Sequence, residues 1–250
     1  MFTKLQMEIH TEESCIVPFQ KAIVLQRILM EQLQPVYVEH LHESRLHPYS
    51  QSVFHQQEKN IWSICTVNKE AYEQIILPVY DSAFKTFFME HDKWNVSINE
   101  KKIQQIDRKS FMKKYYFADS GRFIRLAFQT PTAFKQAGEY VFYPDLRLLY
   151  QNLMMKYDAA VQDETLHDEE LLEQLMVNST IIGYRLKSCF YSVHGSKIPA
   201  FMGEITIRVK GPQTLVNLIN MLCHFGEYSG IGIKTAMGMG KLHVVEKVKE

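Results

Sequence analysis

Three histidines lie close together at a junction between a predicted helix and a loop. They are His40, His42 and His47, and Arg45 lies between the last two. A histidine side chain can accept or donate a proton at neutral pH because its ordinary pKa is near 6.5. His40 is two residues from His42, so it points elsewhere on a helix and is expected to be a surface residue. Three histidines in eight residues of a polar segment favour a proton-transfer site over a purely structural role, although a single histidine is more often structural.

A second segment with chemical potential is Gly230-Ile-Gly-Ile-Lys-Thr-Ala-Met-Gly-Met-Gly240. Glycine tolerates positive φ and lets a ligand reach backbone N–H groups, so such a loop can hold phosphate oxygens. Lys234 adds a positive charge in its middle. The glycines follow a predicted helix and precede a predicted strand, an order that matches neither the dinucleotide fingerprint nor the Walker loop. The segment therefore predicts a phosphate ligand rather than a nucleotide cofactor, held by Gly230, Gly232, Lys234, Gly238 and Gly240.

The formal net charge is zero, so overall charge does not indicate a nucleic-acid partner. The distribution is uneven, because residues 101–125 contain eight basic and two acidic residues, with aromatic residues between them. That mixture suits contact with an RNA backbone and some base stacking, and it makes Lys113 and Lys114 candidate RNA contacts. Arg27, on the first predicted helix, is another candidate. Strand or interdomain packing of the aromatic residues and solvation of the charges are the alternatives.

Other classes of site are not indicated by the sequence. The four cysteines are scattered without a CxxC pair, which predicts free thiols in a reducing compartment. Neither HExxH nor DxD occurs, so no metal and no cofactor is expected. The first ten residues alternate like a strand rather than a signal peptide, and no apolar run approaches membrane length. We therefore expect a cytoplasmic protein without a membrane partner.

The order of predicted elements occurs twice along the chain. Periodicity predicts, in the first half, strand 3–10, helices 19–34 and 35–41, strands 53–57 and 61–67 around a turn at 58–60, helix 68–77 and strand 98–106. In the second half it predicts strand 122–129, helices 144–157 and 166–176, strands 180–192 and 200–210 around a turn at 194–196, helix 212–225 and strand 239–245. Each half reads β-α-β-β-α-β. This order predicts an α+β fold of two tandem ferredoxin-like domains, residues 1–118 and 119–250.

Several segments together resemble one protein family. The glycine segment resembles the C-terminal signature of the RAMP proteins, and most closely that of the Cas6 family, the CRISPR-associated endoribonucleases that process precursor CRISPR RNA. Further segments are similar to landmarks of that family: Val17-Pro-Phe19, Leu41-His-Glu43, Pro48-Tyr-Ser-Gln-Ser52, Thr130-Pro-Thr-Ala-Phe-Lys135, Tyr143-Pro-Asp-Leu-Arg147 and Phe201-Met-Gly-Glu-Ile-Thr-Ile207. The landmarks extend from residue 17 to residue 245, so the resemblance covers nearly the whole chain.

The resemblance implies a metal-independent nuclease in which the RNA supplies the nucleophile. The 2′-hydroxyl attacks the adjacent phosphate and leaves a 2′,3′-cyclic phosphate and a 5′-hydroxyl. By position, His42 corresponds to the family's catalytic histidine. His47 lies where some relatives carry a lysine, so it is a candidate for a second proton-transfer group or for a phosphate stabiliser. Some relatives carry a catalytic tyrosine where this chain has Met30. Tyr37 and Tyr49 are candidate replacements, with packing as the alternative role for both.

The partner implied by the resemblance is CRISPR repeat RNA, held by the glycine segment together with Arg27, Arg45, Lys113 and Lys114. A CRISPR effector complex and a second copy of the chain are further partners that the resemblance allows. The alternative function is a non-catalytic RNA-binding subunit of an effector complex, which Met30 keeps open. A third reading is a ferredoxin-like domain pair that binds a phosphate metabolite and no RNA.

Overall fold

A computed structural model describes residues 1–12, 15–161, 165–193 and 195–245. The first half of the chain builds a five-stranded antiparallel sheet in the order β2-β3-β1-β5-β4. Its elements are β1 (Phe2–Thr11), α1 (Ala22–Glu31), α2 (Pro35–Glu43), β2 (Tyr49–Gln56), β3 (Lys59–Thr66), α3 (Lys69–Ala71), a π-helical turn (Tyr72–Ile76), α4 (Leu77–Tyr80), β4 (Thr86–Met89) and β5 (Trp94–Ile106). A 3-10 turn (Phe19–Lys21) precedes α1.

The second half builds a four-stranded antiparallel sheet in the order β11-β6-β10-β9. Helix α5 (Arg108–Tyr115) joins the halves. The following elements are β6 (Phe123–Thr132), β7 (Phe134–Gln136), β8 (Glu139–Val141), α6 (Leu146–Val161), α7 (Glu169–Val177), β9 (Ser179–Val193), β10 (Ser196–Val209), α8 (Gln213–Ser229), a 3-10 turn (Thr235–Met237) and β11 (Leu242–Val244). In both sheets the first strand of the unit lies between its last and its third strand, so the predicted fold class, two ferredoxin-like units, is confirmed. The boundary at residues 118 and 119 stays a prediction.

Several local predictions were wrong or incomplete. The first hairpin turns at Gln57 and Glu58, both at positive φ, with Gln56 paired to Lys59. The predicted turn at 58–60 missed it because neither turn residue is the glycine or asparagine that usually marks this geometry. Strand β4, hairpin β7–β8 and helix α5 were also not predicted. Helix α5 begins at Asp107, whose carboxylate accepts a hydrogen bond from the Ser110 N–H at 3.0 Å. His194, in the predicted second hairpin turn, lies outside the described residues.

Each sheet buries one face against its own helices. Alternate residues of β1 point to one side of a strand, so Leu5, Met7 and Ile9 are buried together and pack with α1 and with Trp62 of β3. In the second half the core is larger, and leucines of α6 and α8 pack on β6 and β10. Burying one leucine side chain stabilises the fold by about 2 kcal/mol, so these faces hold each unit together.

The two halves contact each other along β2. The buried side chain of Gln51 donates hydrogen bonds to the carbonyl oxygens of Ala22, at 2.6 Å, and Ala236, at 3.0 Å. The Trp62 indole in turn donates to Gln51 Oε1 at 2.8 Å, which fixes the orientation of the amide. Ser50 donates to the carbonyl of Tyr228 at 2.6 Å. These bonds join β2 to the last turn of α8 and to the segment that follows it, and so bring the histidines near the glycines.

Candidate active site

The histidine loop, residues 42–48, connects α2 to β2. Pro35 starts α2, where its missing N–H costs nothing, and Tyr37 and Leu41 anchor the helix in the core. The helix ends at Ser44, whose N–H donates to the carbonyl of His40. His42 is therefore in the last helical turn and exposed to solvent. His40 is also exposed, as the sequence predicted, and its ring lies 5.9 Å from that of Tyr37.

His47 is partly buried, and its environment disfavours a second positive charge. Burial is the largest cause of its lowered pKa, and the charges of Lys156, His42 and Lys234 add to it. Its Nδ1 atom is buried without a hydrogen-bond partner in the described structure. The ring packs 5.8 Å from that of Tyr49. A lowered pKa keeps the imidazole neutral at neutral pH, so this side chain is available to accept a proton.

The glycine loop, residues 230–240, lies opposite the histidine loop. Gly230 ends α8 at φ 64°, and Gly240 has φ 70°. A Cβ on Gly240 would lie 1.9 Å from the carbonyl oxygen of Ile231, so only glycine fits there. The backbone of Lys234 is also in the left-handed region, at φ 56°, and its side chain is exposed. The loop therefore presents one cation on a tightly folded backbone.

Three of the glycine N–H groups that were expected to bind phosphate donate hydrogen bonds within the protein. The Gly230 N–H donates to the carbonyl of Gly226, and the Gly240 N–H donates to that of Pro131, each at 3.0 Å. The Gly232 N–H donates to Asn152 Oδ1 at 2.8 Å. These donors are satisfied inside the protein, because a buried loop must pair its own backbone. Among the residues of the glycine loop, Lys234 is then the main candidate for an RNA contact. Contacts of Lys234 and of Gly238 with RNA stay predictions.

Lys156 of α6, which was not among the predicted site residues, lies beneath the glycine loop. Its side chain is only 7% exposed. Its Nζ lies 3.1 Å from the carbonyl oxygen of Gly230 and 3.3 to 3.4 Å from three further oxygens of the same segment. The signal was present in the sequence, because Leu149, Leu153 and Lys156 share one helix face at spacings of four and three. A lysine at an apolar position needs buried acceptors.

A groove of about 640 Å³ runs beside His42. Helix α1 forms one wall, and Met237 of the glycine loop joins it. Met30, at the position where some relatives carry a tyrosine, lines the groove and has no proton to transfer. Arg27 also lines the groove. Its guanidinium donates hydrogen bonds to the carboxylates of Glu31 and Glu90, each at 3.1 Å. Arg27 is therefore already paired with two exposed carboxylates.

The remaining candidates lie on exposed surfaces. Arg45 is exposed in the histidine loop. Lys113 and Lys114 are exposed on α5, whose buried Phe111 packs against Phe2 at 4.8 Å between ring centroids. Their part in RNA binding stays a prediction. The two candidate tyrosines, Tyr37 and Tyr49, are both buried.

The described part of the chain holds no group of three or more His, Cys, Asp or Glu side chains placed to bind a metal ion. None of the helices among the described residues combines the length and apolar character needed to cross a bilayer.

Comparison with known proteins places this arrangement in a family. A family model described as CRISPR-associated endoribonuclease Cas6 matches residues 126–242. The CRISPR-associated endoribonuclease Cas6 of Streptococcus thermophilus is 32% identical over 226 residues, which cover 90% of this chain and 92% of the relative. The protein with the same description from Mycobacterium tuberculosis (strain CDC 1551 / Oshkosh) is 36% identical over 221 residues, covering 88% and 70%.

The fold is shared with solved structures. A Cas6 product complex has a TM-score of 0.81 at 16% identity, and the match covers 98% of this chain and 100% of that one. At this identity the likeness shows the fold alone. The Streptococcus relative carries the sequence relationship across about nine-tenths of both chains, and the resemblance seen in the sequence is confirmed. The chain therefore belongs to the Cas6 family of CRISPR-associated endoribonucleases.

Proposed function

We propose that this protein cuts CRISPR repeat RNA by attack of the RNA's own 2′-hydroxyl, without a metal ion. The bond from the 2′-oxygen to phosphorus forms, and the bond from phosphorus to the 5′-oxygen breaks. The products carry a 2′,3′-cyclic phosphate and a 5′-hydroxyl. The observation that carries the proposal is that His42 and His47 lie on one loop, opposite the cation of Lys234.

In this reaction His47 takes the proton of the 2′-hydroxyl. A general base must be unprotonated before the reaction, and burial together with neighbouring positive charges lowers the pKa of His47. Its Nδ1 has no hydrogen-bond partner in the described structure, so no donor occupies that nitrogen. His47 is therefore the better base of the two.

His42 gives a proton to the departing 5′-oxygen. It is exposed and lines the groove, so an RNA strand in the groove can reach it. Lys234 stabilises the negative charge that develops on the phosphate oxygens. Two histidines and one lysine supply the base, the acid and the cation, so this chain does not need a tyrosine at position 30.

The RNA partner is supported by the solved Cas6 product complex of the same fold. We place the RNA along the groove, with Arg45 and Arg27 on its rim and Lys113 and Lys114 on the outer path. Arg27 would have to exchange its carboxylate partners for a phosphate. Delivery of the product to an effector complex and pairing of two chains stay predictions.

The testing experiment is cleavage of the host's repeat RNA in EDTA, with a matched RNA that has a 2′-deoxy sugar immediately upstream of the cut. We expect one cut in the normal RNA and none in the deoxy RNA, with both bound equally well. Cleavage of the deoxy RNA, or cleavage that requires added metal, would contradict the mechanism. Binding without any cleavage would favour the alternative function, a non-catalytic RNA-binding subunit.

A further inference from the structure

Lys156 has a place in the molecule that the proposed reaction does not use. Its Nζ lies within hydrogen-bonding reach of the carbonyl oxygens of Gly230, at 3.1 Å, Ser229, at 3.3 Å, and Gly232, at 3.4 Å. A fourth acceptor, Thr235 Oγ1, lies at 3.4 Å. All four oxygens belong to residues 229–235, while the lysine comes from α6. Lys156 therefore joins the start of the glycine loop to the core of the second half.

The N–H groups and the carbonyl groups of the glycine loop form hydrogen bonds with different partners. Its N–H groups donate to Gly226, Asn152, Pro131 and other groups of the second half. Two of its carbonyls, those of Gly230 and Gly232, face Lys156 instead. Buried carbonyls need donors, and an ammonium group has three hydrogens to offer. Burial alone lowers the pKa of Lys156 to about 7, whereas the four surrounding oxygens favour its charged form. The ammonium form is the one that satisfies this set of acceptors.

Lys156 also acts on the histidine loop through its charge. The charged or titratable groups that act on His47 are Lys156, His42 and Lys234, and the Tyr49 ring packs beside it. None of these groups is a carboxylate. Lys156 comes first among the three charges, after burial, in lowering the pKa of His47. One buried amine thus bonds to the glycine loop and also disfavours the protonated form of His47.

We propose that Lys156 is a positioning residue for RNA cleavage, which holds the start of the glycine loop through its four oxygen contacts so that Lys234 faces the phosphate. This inference rests on the proposed function for its catalytic part. The effect of the Lys156 charge on His47 concerns only the folded protein, and can be measured without RNA.

The test compares Lys156→Met, which removes charge and donors, with Lys156→Gln, which keeps two donors and removes the charge. Lys241→Met is the matched control, because burial also lowers the pKa of Lys241 while its charged neighbours are Lys4 and Glu227. The midpoint of the His47 titration is followed by NMR in each protein. Single-turnover cleavage rates and RNA affinity are measured across the same pH range.

We expect His47 to titrate at higher pH in both Lys156 variants, because a positive charge near it has been removed. The acid limb of the cleavage profile should move to higher pH with it. The maximal rate should fall by about tenfold or more in Lys156→Met, with RNA affinity within a few-fold, because small displacements of catalytic groups cost rate rather than binding. Lys156→Gln should lose less rate and show the same shift in titration. Lys241→Met should leave the His47 midpoint unchanged.

An unchanged maximal cleavage rate in folded Lys156→Met protein would overturn the proposal, as would an equal loss of rate in Lys241→Met. If Lys156→Met does not fold, the same comparison is made with Lys156→Gln, whose unchanged cleavage rate would likewise overturn the proposal. If wild-type protein does not cleave RNA but the His47 midpoint shifts as expected, the proposed function fails and the electrostatic role of Lys156 stands.

Discussion

The polar groups of the histidine loop and those of the glycine loop differ in exposure and in hydrogen bonding. In the histidine loop, His42 and Arg45 are exposed, and His47 Nδ1 is buried without a partner in the described structure. In the glycine loop, backbone N–H groups donate to protein acceptors and carbonyls surround Lys156. A group that must exchange a proton with substrate benefits from being unpaired, whereas a scaffold benefits from being fully paired. The chemistry therefore belongs to the histidine loop, and the glycine loop positions one cation.

This comparison is tested most severely by His42→Ala, with His40→Ala as its matched control on the same exposed helical turn. Loss of a general acid is expected to lower the cleavage rate by ~1,000-fold. Stability and RNA affinity should change little because His42 is exposed. The measurement is single-turnover cleavage of repeat RNA with thermal melting beside it. Equal losses in the two variants would show that the effect is not specific to His42.

The next largest effect is expected for His47→Ala, at about 100-fold in cleavage rate. The neutral imidazole is the active form and its pKa is lowered, so the wild-type rate should hold at neutral pH and fall as pH drops through that lowered pKa. The variant should lose this acid limb. Because Nδ1 has no partner, the variant loses no hydrogen bond there, and the free energy of unfolding should fall only by the lost packing of the ring beside Tyr49. A wild-type rate that rises as the pH falls would mean that His47 acts as the acid.

Gly240→Ala tests the glycine loop as scaffold. We expect it to lower the free energy of unfolding by about 2 kcal/mol, because alanine is strained at φ 70° and its Cβ meets the Ile231 carbonyl. The control is Gly183→Ala on β9, where no atom lies within 4 Å of the added Cβ and φ is ordinary. Chemical denaturation of both variants measures the difference. A Gly240→Ala protein as stable as the Gly183→Ala protein would argue against a tightly constrained loop.

The smallest effect is expected for Lys234→Met, at about tenfold in cleavage rate. Losing one phosphate contact should also reduce the salt dependence of RNA affinity by about one unit in the log–log slope. Lys69→Met, an exposed lysine paired with Glu73 on the first half, is the control and should change neither quantity. Measurement of affinity at several salt concentrations separates the two. An unchanged salt slope in Lys234→Met would remove Lys234 from the RNA-binding surface.

Much of the fold could be predicted from periodicity, because strands such as β1 and β10 and helices such as α1 and α8 bury one regular face. The elements that were missed have other determinants. Helix α5 has few apolar residues and depends on its Asp107 cap and on Phe111, while β4 is a short edge strand paired only with β5. The hairpin turn at Gln57 and Glu58 lacks the usual turn residues, so pairing of its strands decides where it lies.

By itself, the sequence determined the family, the doubled β-α-β-β-α-β order and the two segments that carry the candidate site. These features depend on residue types and on spacing along one stretch of chain. Only the tertiary structure decided that three of the four glycine N–H groups are already bonded, that Gln51 joins β2 to Ala236, and that Lys156 lies beneath the loop. The contacts of Gln51 with Ala236 and of Lys156 with Gly230 join residues that are 185 and 74 positions apart. No local pattern specifies them, because a buried polar group is matched to its partner only when the two halves pack together.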